Sequence, residues 1–496
     1  MKTFSAIFLA LISLTTVSQT TGDIRRTYHW YFGNGAGLDF SGGSPVAVTN
    51  SAMTAEEGCA AISDSCGNLL FYTDGDTVWN RNHLIMLNGT GLMGCPSSTQ
   101  SALIIPQPGN DSIYFLFLTD CGENSGANGL RYSVVNVNGD GGLGAVIELN
   151  TLVFSPSMEK LAATYHGNGS DIWVVGLNRY PAGPPPDTTY QYHSMLLTAS
   201  GVNTPITSPS LIVPHKAEDA YMRFSHNGAL LVNSWHAPSC YWCDSLEVLS
   251  FDNLSGILFS PYLLVPDSGN SGYGVAFSPD DSRLYHSIWN EFIFPSATFR
   301  VYQYNMLAGS PASIELSKSL VYSIDTNWID GEYLGAIQTG ADGILYVAKI
   351  SNIAPFYPNT IDAILNPNGL FPSCEYVKDY IDIGGTSQLG LPNFVDSYTS
   401  YSSFDICDAR IENFDSSYKV EVFPLPASEK ITIRIIQPFN EPINIELYNS
   451  AGTVVIRNFE TQPIFDLYRG DLPEGIYLLR IQIGNQNINK KITFKY

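Results

Sequence analysis

The 496-residue sequence has few charged residues and almost no helical pattern. Asp, Glu, Lys and Arg make up only 14% of it, whereas Gly (43), Tyr (29) and Phe (25) are abundant. Beyond the N-terminus, apolar residues nowhere keep the 3.6-residue period of an amphipathic helix. The composition favours β-strands joined by tight turns over a helical fold.

Positive charge is scarce in most of the chain. Residues 23–418 contain 14 Lys and Arg against 38 Asp and Glu, a net charge of −24, while residues 419–496 carry +1. Because nucleic-acid phosphates and anionic lipids repel such an acidic body, we exclude DNA, RNA and peripheral membrane binding. The acidic residues favour solubility. Alternatively, some of the Asp side chains bind structural Ca²⁺. The turn residues Asp74, Asp76 and 138–141 suggest Ca²⁺, but form no complete calcium loop.

A long apolar run occurs only at the N-terminus. Lys2 precedes apolar residues 6–14, and mostly small or polar residues follow up to Gly22. This pattern is typical of a secretory signal peptide, and the run is too short to span a bilayer. We therefore expect residues 1–22 to be a signal peptide, with no transmembrane helix later in the chain. The eight cysteines then reach an oxidising compartment.

The cysteine spacing favours structural disulfides. A zinc site of the common kind needs a second C-x-x-C or a His pair beside Cys240 and Cys243, and a thioredoxin-like role needs a βαβ unit. The sequence supplies neither. Cysteine order alone leaves the connectivity open. The candidate pairs are Cys59–Cys66, Cys95–Cys121, Cys240–Cys243 and Cys374–Cys407.

Six segments repeat one pattern of apolar strand, polar turn and apolar strand. In residues 272–289 the turn is Ser-Pro-Asp-Asp, whose Pro and Asp favour a hairpin. The other copies begin at Gly58, Ser101, Lys160, Tyr221 and Tyr333. Copies roughly 45 to 60 residues apart suit one four-stranded blade each, and a ring of blades buries faces that a single blade would expose. We predict an all-β, seven-bladed β-propeller over residues 23–405, with six blades or a β-sandwich as alternatives.

The two ends of this body complement each other. Residues 27–50 contain strands without the repeated hairpin, and Gln388–Val395 reads as a strand without a partner. Pairing of these ends would close the ring. Glycines 33, 35 and 37 superficially match a phosphate-binding loop, but the following residues cannot form the helix that such a loop needs.

Three segments carry a resemblance to a known group of proteins. They are WYFGNGAGLDF, the EGCAAISDSCGNLLFYTDG hairpin with Trp79 and Asn80 after it, and GLPNF. In these segments the body resembles the WD-like propeller surface proteins exported by gliding and related Bacteroidetes bacteria.

The C-terminal residues carry a second resemblance. VFPLPASEKITIRI, IELYNSAGTVV and LPEGIYLLRIQIGNQNINKKITFKY alternate apolar and polar residues as a small β-sandwich would. They resemble the type A C-terminal sorting domain of type IX secretion cargo, although Leu425 replaces the usual Asn. The matching residues are Pro424, Pro426, Ala427, Ser428, Gly452, Gly475 and Tyr477. An ordinary adhesion sandwich is the alternative.

This resemblance implies a delivery route. The outer-membrane type IX translocon would recognise residues 419–496, and a sortase-like peptidase would then cut within the linker 406–418. The mature protein would be secreted or attached to the cell surface.

The sequence contains no nucleophile elbow and no H-E-x-x-H motif. His166 and His226 share one position in the repeat, which indicates a structural role, and His236 and His286 beside tryptophans indicate packing. Exposed indole faces could stack on sugar rings. Alternatively, the tryptophan side chains fill the interfaces between blades. The candidates are Trp235, Trp242, Trp289 and Trp328.

We therefore predict a non-enzymatic binding or adhesion module for a glycan or protein, without assigned catalytic, cofactor or metal residues. The alternative is a secreted polysaccharide hydrolase or lyase with acids at the channel mouth. Two carboxylates about 5–10 Å apart in a deep funnel would favour the enzyme. A flat, aromatic-rich face would favour the binder.

Overall fold

The computed structural model divides the chain into two compact units, one containing Asp23–Tyr401 and the other Ser402–Tyr496. The predicted signal peptide and linker lie outside the described residues, so the predicted domain borders stay predictions. The structure describes residues 23–179, 190–211, 219–236, 245–265, 271–290, 296–327, 332–351, 358–399, 420–424, 427–436, 442–448, 454–470, 472–473, 475–483 and 486–495.

Seven antiparallel sheets make up the described part of the first unit. Sheet by sheet, their strands are β1 (His29–Phe32), β2 (Ala36–Asp39), β3 (Val46–Ala47); β4 (Ala60–Ser63), β5 (Leu69–Thr73), β6 (Val78–Asn80); β7 (Ala102–Gln107), β8 (Asn110–Leu118), β9 (Leu130–Asn136), β10 (Ala145–Phe154); β11 (Ser157–Tyr165), β12 (Ile172–Arg179), β13 (Tyr190–Thr198), β14 (Gly201–Val202), β15 (Ile206–Pro209); β16 (Met222–Phe224), β17 (Leu230–Asn233), β18 (Leu246–Asp252), β19 (Ile257–Leu264); β20 (Ser271–Phe277), β21 (Arg283–Asn290), β22 (Ser296–Asn305), β23 (Ser319–Asn327); β24 (Glu332–Thr339), β25 (Leu345–Ser351), β26 (Thr360–Ile364) and β27 (Tyr376–Asp382).

Helices are short in the described residues. One α-helix, α1 (Pro311–Leu316), follows the Ser310 cap, whose side chain accepts the Ser313 N–H. The 3₁₀ helices are Ile24–Thr27, Gly122–Asn124, Asp140–Gly142, Met306–Ala308 and Asp396–Thr399. None of the described helices has the length and apolar character needed to cross a bilayer.

The repeated hairpins form as predicted. Each begins one sheet, as β4–β5, β7–β8, β11–β12, β16–β17, β20–β21 and β24–β25. In the fifth copy, Asp280 Oδ1 accepts hydrogen bonds from Ser278 Oγ (2.7 Å) and Ser282 N–H (3.0 Å), which fixes the turn. The local turn chemistry and the apolar flanks therefore specify these pairs together.

The first strands of successive sheets contact one another in chain order. The contacts run from β1 to β4, β7, β11, β16, β20 and β24. The last sheet returns to the first, because the Tyr346 ring of β25 lies 5.6 Å from Trp30 and 5.7 Å from Phe40. Consecutive meander sheets arranged in this closed order form a β-propeller. The all-β propeller prediction is confirmed, while the count of seven blades stays a prediction.

The two ends of the first unit pair, but not as one complete strand. The backbones of Asn34 and Thr386 exchange two hydrogen bonds of 3.0 Å, and the Gly37 N–H donates to the Ile383 carbonyl. The predicted strand at 388–395 takes a different place. Its Leu389 carbonyl accepts the Ala336 N–H, and Pro392 pairs in parallel with Cys59.

The second unit is a small sandwich of two sheets with its own apolar core. One sheet has the order β28-β29-β32 and the other β31-β30-β33-β34. Their strands are β28 (Val420–Phe423), β29 (Lys430–Ile435), β30 (Ile443–Tyr448), β31 (Val454–Glu460), β32 (Ile464–Tyr468), β33 (Gly475–Ile483) and β34 (Gln486–Phe494). The predicted sandwich is confirmed, and β28 and β32 are strands that the sequence reading did not include.

The cysteines correct two predicted disulfides. Cys95 and Cys121 are bonded as predicted, with a Cα–Cα distance of 5.5 Å. The Cys59–Cys66 pair is wrong, because Cys59 is a free buried thiol before β4 and Cys66 follows that strand. A four-residue extended strand separates the two Cα atoms by more than about 10 Å, beyond the reach of a disulfide.

The Cys374–Cys407 pair is also wrong, because Cys374 is a free buried thiol. Burial raises the pKa of the Cys374 thiol, and Tyr285 is its side-chain partner. Cys407, Cys240 and Cys243 lie outside the described residues.

Candidate functional site at the channel inlet

Polar side chains from successive sheets meet where the first strand of each sheet begins. This place is one end of the propeller channel, and we term it the inlet. Glu57 precedes β4, Thr99 precedes β7, Glu159 lies near the start of β11, and Asp219 precedes β16. The Thr99 hydroxyl oxygen lies 3.2 Å from Glu57 Oε2 and 2.9 Å from Glu159 Oε2. It also accepts the Ala220 N–H at 3.3 Å. One hydroxyl therefore joins four sheets.

The environment of Glu159 includes two backbone donors. Its Oε2 accepts the Thr99 N–H at 2.9 Å, and its Oε1 accepts the Gly122 N–H at 2.6 Å. Burial nevertheless raises the pKa of Glu159 to about 7, because desolvation outweighs these donors. Glu159 thus titrates near neutral pH.

The surroundings of Glu57 disfavour its ionised form. Burial, followed by the charges of Glu159 and Asp219, raises its pKa well above the usual value. The Tyr273 hydroxyl of β20 lies within electrostatic reach, and its own pKa is raised first by burial and then by Glu57. Like charges confined in a poorly solvated space favour the neutral acid.

Asp219 and His236 form an ion-pair geometry beside this carboxyl pair. His236 Nδ1 lies 2.6 Å from Asp219 Oδ2, and the Asp219 side chain is 33% exposed. The His236 ring packs edge-on against Trp289, which stacks on Tyr273 with ring centroids 4.7 Å apart. Aromatic packing therefore holds the imidazole at the inlet.

Lys160 follows Glu159, but its ammonium reaches the following sheet, whereas the Glu159 carboxyl contacts the preceding sheet. Its buried ammonium donates to Asn233 Oδ1 at 2.8 Å and to the Ser234 carbonyl, and it lies 4.4 Å from the centre of the Trp235 ring. Burial lowers the pKa of Lys160 to about 7. This lysine bonds neighbouring sheets together and does not line the channel with Glu159.

Beyond the inlet, polar groups fill the channel and bond to one another. The Arg223 guanidinium donates to Asn393 Oδ1 at 2.7 Å, and Asp396 Oδ2 accepts the Phe224 N–H at 2.8 Å. Gln100 Nε2 donates to the Leu161 carbonyl at 2.7 Å. The 3₁₀ helix at 396–399 contacts β11, β16 and the 3₁₀ helix at 24–27. The segment after the last strand therefore occupies the interior of the ring.

The described end of the channel opposite the inlet leaves little free space. A cavity of about 10 Å³ lies beside Arg223, His226 and Asp396. That is about the smallest volume that holds one water molecule. Side chains therefore occupy the channel around Arg223, His226 and Asp396.

The structure corrects the aromatic candidates. Trp235 is 1% exposed and packs against Tyr190, while Trp289 is 7% exposed and donates its indole N–H to the Leu334 carbonyl at 2.6 Å. Neither indole presents a face to a ligand, because both fill spaces between strands. Trp242 and Trp328 lie outside the described residues.

The other histidines have structural partners. His226 Nδ1 lies 2.8 Å from Asp281 Oδ1 of the next sheet. His166 Nε2 lies 3.2 Å from the Leu254 carbonyl, and His286 Nε2 lies 2.9 Å from Ser234 Oγ. Burial lowers the pKa of His286 to about 3, so this side chain is neutral at physiological pH. These contacts support the structural roles predicted for His166 and His226, which stay predictions.

The turn carboxylates considered for Ca²⁺ are engaged in local bonds or lie apart. Asp74 Oδ1 accepts the N–H groups of Asp76 (3.0 Å) and Thr77 (2.8 Å). Among the described residues, the one group with metal-ligand spacing is Cys95, Cys121 and Glu123. Its two cysteines form the disulfide, so they offer no thiolates. Structural Ca²⁺ at these turns stays a prediction.

Sequence reasoning missed the inlet residues. Glu57, Thr99 and Glu159 each lie near the start of an inner strand, which is the signal that the repeat offers. The repeat does not show which of the 46 Asp and Glu residues converge.

In the second unit, several residues of the predicted sorting motif lie in defined contacts. The Tyr477 hydroxyl donates to the Pro473 carbonyl at 2.8 Å, and the Ala427 carbonyl accepts the Lys495 N–H at 2.8 Å. Gly475 begins β33, and Pro424 and Ser428 are exposed between β28 and β29. Pro426 and Gly452 lie outside the described residues.

Residues 421–495 match the family model of the secretion system C-terminal sorting domain. The predicted type IX sorting domain is therefore present, and the protein is extracellular, either secreted or attached to the cell surface. Its sorting domain implies interaction with the type IX secretion machinery.

No curated protein matches this chain in sequence. Among solved structures, a puromycin-hydrolyzing peptidase of Mycobacterium tuberculosis is 12% identical, with a TM-score of 0.36 over 84% of this chain and 60% of that chain. The chain thus spans less than two thirds of that peptidase. A quinonprotein alcohol dehydrogenase-like protein of Bacteroides thetaiotaomicron is 11% identical, with a TM-score of 0.38 over 73% of this chain and 77% of that chain.

An endo-arabinase of Bacteroides thetaiotaomicron is 10% identical, with a TM-score of 0.32 over 57% of this chain and 95% of that chain. Such low identities and TM-scores carry no argument about function. The propeller assignment rests on the sheets and their closed order.

Proposed function

We propose that the propeller is an extracellular binding module for a glycan or protein, and that the ligand contacts the inlet. The observation that carries this proposal is the filled channel. Asn393 and Asp396 bond to groups of β11 and β16, so these side chains occupy the interior of the ring. Binding at the inlet needs no open channel, whereas a buried catalytic cleft does.

The partly exposed polar groups of the inlet suit hydroxyl-rich or cationic ligand groups. Asp219 and His236 supply a carboxylate and an imidazole in contact, and Glu57 is also partly exposed. Carboxylates accept hydrogen bonds from sugar hydroxyls and from protein N–H groups. The body's net charge of −24 disfavours polyanionic ligands.

The second candidate function is polysaccharide hydrolysis or lysis. It is supported by the pairing of Glu57 and Glu159 through the Thr99 hydroxyl. Two carboxyl groups that hold their protons differently can act as acid and base on a glycosidic bond.

A glycan array with the purified full-length chain tests binding, and product analysis of each bound glycan tests the enzyme. We expect Asp219→Asn to weaken binding of a retained glycan. Asp140→Asn is the matched control, because Asp140 is an exposed turn residue. Equal binding by wild type and Asp219→Asn would contradict the inlet as the binding site, and cleaved products would favour the enzyme.

We also propose that the sorting domain is removed after export, with the cut in the linker 406–418. The supporting observation is the sorting-domain match over residues 421–495. Mass spectrometry of the extracellular protein should then lack peptides from the sandwich. Recovery of those peptides from the mature protein would contradict removal.

A further inference from the structure

The hydrogen bonds of the Thr99 hydroxyl require one more proton than the hydroxyl itself supplies. A hydroxyl has one proton to donate and two lone pairs that accept. The Ala220 N–H uses one lone pair, and the two carboxyl oxygens of Glu57 and Glu159 occupy the other two directions. The single Thr99 proton points to only one of them at a time, and a proton on the other carboxyl would complete the second hydrogen bond.

Backbone donors indicate which carboxyl is ionised. Glu159 accepts the N–H groups of Thr99 and Gly122, and these bonds stabilise its anion. Glu57 has side-chain partners, the Thr99 hydroxyl and the Tyr273 hydroxyl, but no backbone N–H among the described hydrogen bonds. Glu57 is therefore the better place for the proton.

We propose that Glu57 is a carboxylic acid at neutral pH and donates its proton to the Thr99 hydroxyl, which donates its own proton to Glu159. We name these three residues the proton bridge. The bridge, with Ala220, joins the sheets that begin with β4, β7, β11 and β16. It goes beyond the proposed function, because it binds its proton whether or not a ligand occupies the inlet.

The charged and titratable groups around the bridge act in opposite senses. Asp219 raises the pKa of both Glu57 and Glu159, and Tyr273 lies on the β20 side. The charges of Asp219 and Glu159 act on Lys160, and His236 pairs with Asp219. Burial, followed by the neighbouring carboxylates, outweighs the hydrogen bonds to Glu57 and raises its pKa.

Loss of the bridging proton would leave Glu57 and Glu159 as two like charges joined through one hydroxyl. Because the folded chain binds this proton more tightly than the unfolded chain, the resulting stability is fully present below pH about 4.5. It is lost as the pH rises through the folded pKa of Glu57. The bridge consequently loosens the inlet as Glu57 loses its proton.

Infrared spectroscopy of the full-length chain at pH 7 tests the proposal directly. The wild-type minus Glu57→Gln difference spectrum should contain the carbonyl band of a protonated carboxylic acid. Glu56→Gln is the matched control, since Glu56 is the exposed neighbour of Glu57, and its difference spectrum should lack that band. Absence of the band in the Glu57→Gln difference would overturn the proposal.

Thermal unfolding at pH 5 and pH 9 supplies a second readout. The Gln amide can donate to Thr99 without ionising, so Glu57→Gln should gain stability relative to wild type at pH 9, by about 2 °C or more. Glu56→Gln should follow wild type at both values. If the melting temperatures of Glu57→Gln and wild type differ by the same amount at pH 5 and pH 9, the proposal is contradicted.

If Glu57→Gln does not fold, Thr99→Val and Thr99→Ser replace it. Thr99→Ser keeps the hydroxyl and should keep the acid band of wild type, whereas Thr99→Val should shift that band, because the acid loses its acceptor. An unshifted band in Thr99→Val would contradict the bridge.

Discussion

Asp281 in the turn between β20 and β21 binds His226 in the corresponding turn of the preceding sheet. Its Oδ1 lies 2.8 Å from His226 Nδ1 and accepts the His226 N–H at 2.7 Å, while its Oδ2 accepts the Asn227 N–H at 2.9 Å. One carboxylate therefore holds the turn of its neighbour by three contacts. The repeated turn is thus a joint between sheets as well as a hairpin connection.

Replacing Asp281 by Ala should destabilise the propeller. The change leaves three donors of the preceding turn without their acceptor, and it puts Ala at a φ of 59°. We expect a loss of about 2–4 kcal/mol in the free energy of unfolding, measured by urea denaturation. Asp281→Asn keeps acceptor oxygen and suits this backbone conformation, so its loss should be smaller. A loss below about 0.5 kcal/mol in Asp281→Ala would contradict the joint.

The disulfide assignment predicts which thiols react in the unreduced protein. Alkylation of the unfolded, unreduced chain should label Cys59 and Cys374 and leave Cys95 and Cys121 unlabelled. The Cys95→Ala/Cys121→Ala double variant should lose about 3 kcal/mol of stability, because the unfolded chain gains the entropy of an open loop. Peptide mapping that finds Cys59 bonded to Cys66 would restore the pairing that the structure corrects.

Lys160→Met should show a stability difference from wild type that depends on pH. Burial lowers the pKa of Lys160 to about 7, so the unfolded chain binds its proton more tightly than the folded chain. Wild-type stability from this group is present at alkaline pH and is lost as the pH falls from about 10.5 towards 7. Relative to wild type, Lys160→Met should therefore be more stable at pH 7 than at pH 10. The stability difference between Lys160→Met and wild type is measured by denaturation at pH 7 and pH 10. The same difference at both pH values would exclude a buried lysine with a lowered pKa.

Phe494→Ala should unfold or strongly destabilise the sorting sandwich. Phe494 is fully buried beside Tyr477, so the truncation leaves a cavity worth about 3–5 kcal/mol. We expect loss of export, measured as the fraction of the chain found outside the cell. Phe459→Ala is the matched control, because Phe459 is 67% exposed, and normal export is expected. Normal export of folded Phe494→Ala would contradict the need for an intact sandwich.

The sequence predicted the hairpins well, because their signals are local. In the fifth copy the turn residues 278–281 and the apolar residues around them lie within one short segment, and β20 and β21 form where that pattern predicts. The same holds in the tail, where the alternating segment LPEGIYLLRIQIGNQNINKKITFKY contains β33 (Gly475–Ile483).

The sequence did not predict the tryptophan environments. Trp289 lies at the end of β21, and its burial depends on Tyr273, Phe299 and Tyr333 from other strands. Periodicity along one strand shows which side chains share a face, but it does not show what covers that face.

By itself, the sequence determined the strand-and-turn repeat, the acidic body and the sorting tail, because each depends on composition or on residues near one another. The tertiary structure decided which polar groups meet. Thr99 lies 42 residues from Glu57 and 60 from Glu159, yet its hydroxyl contacts both. Closure of the ring brings these groups together. Because they are buried among the inner strands, their hydrogen bonds then depend on where a single proton lies.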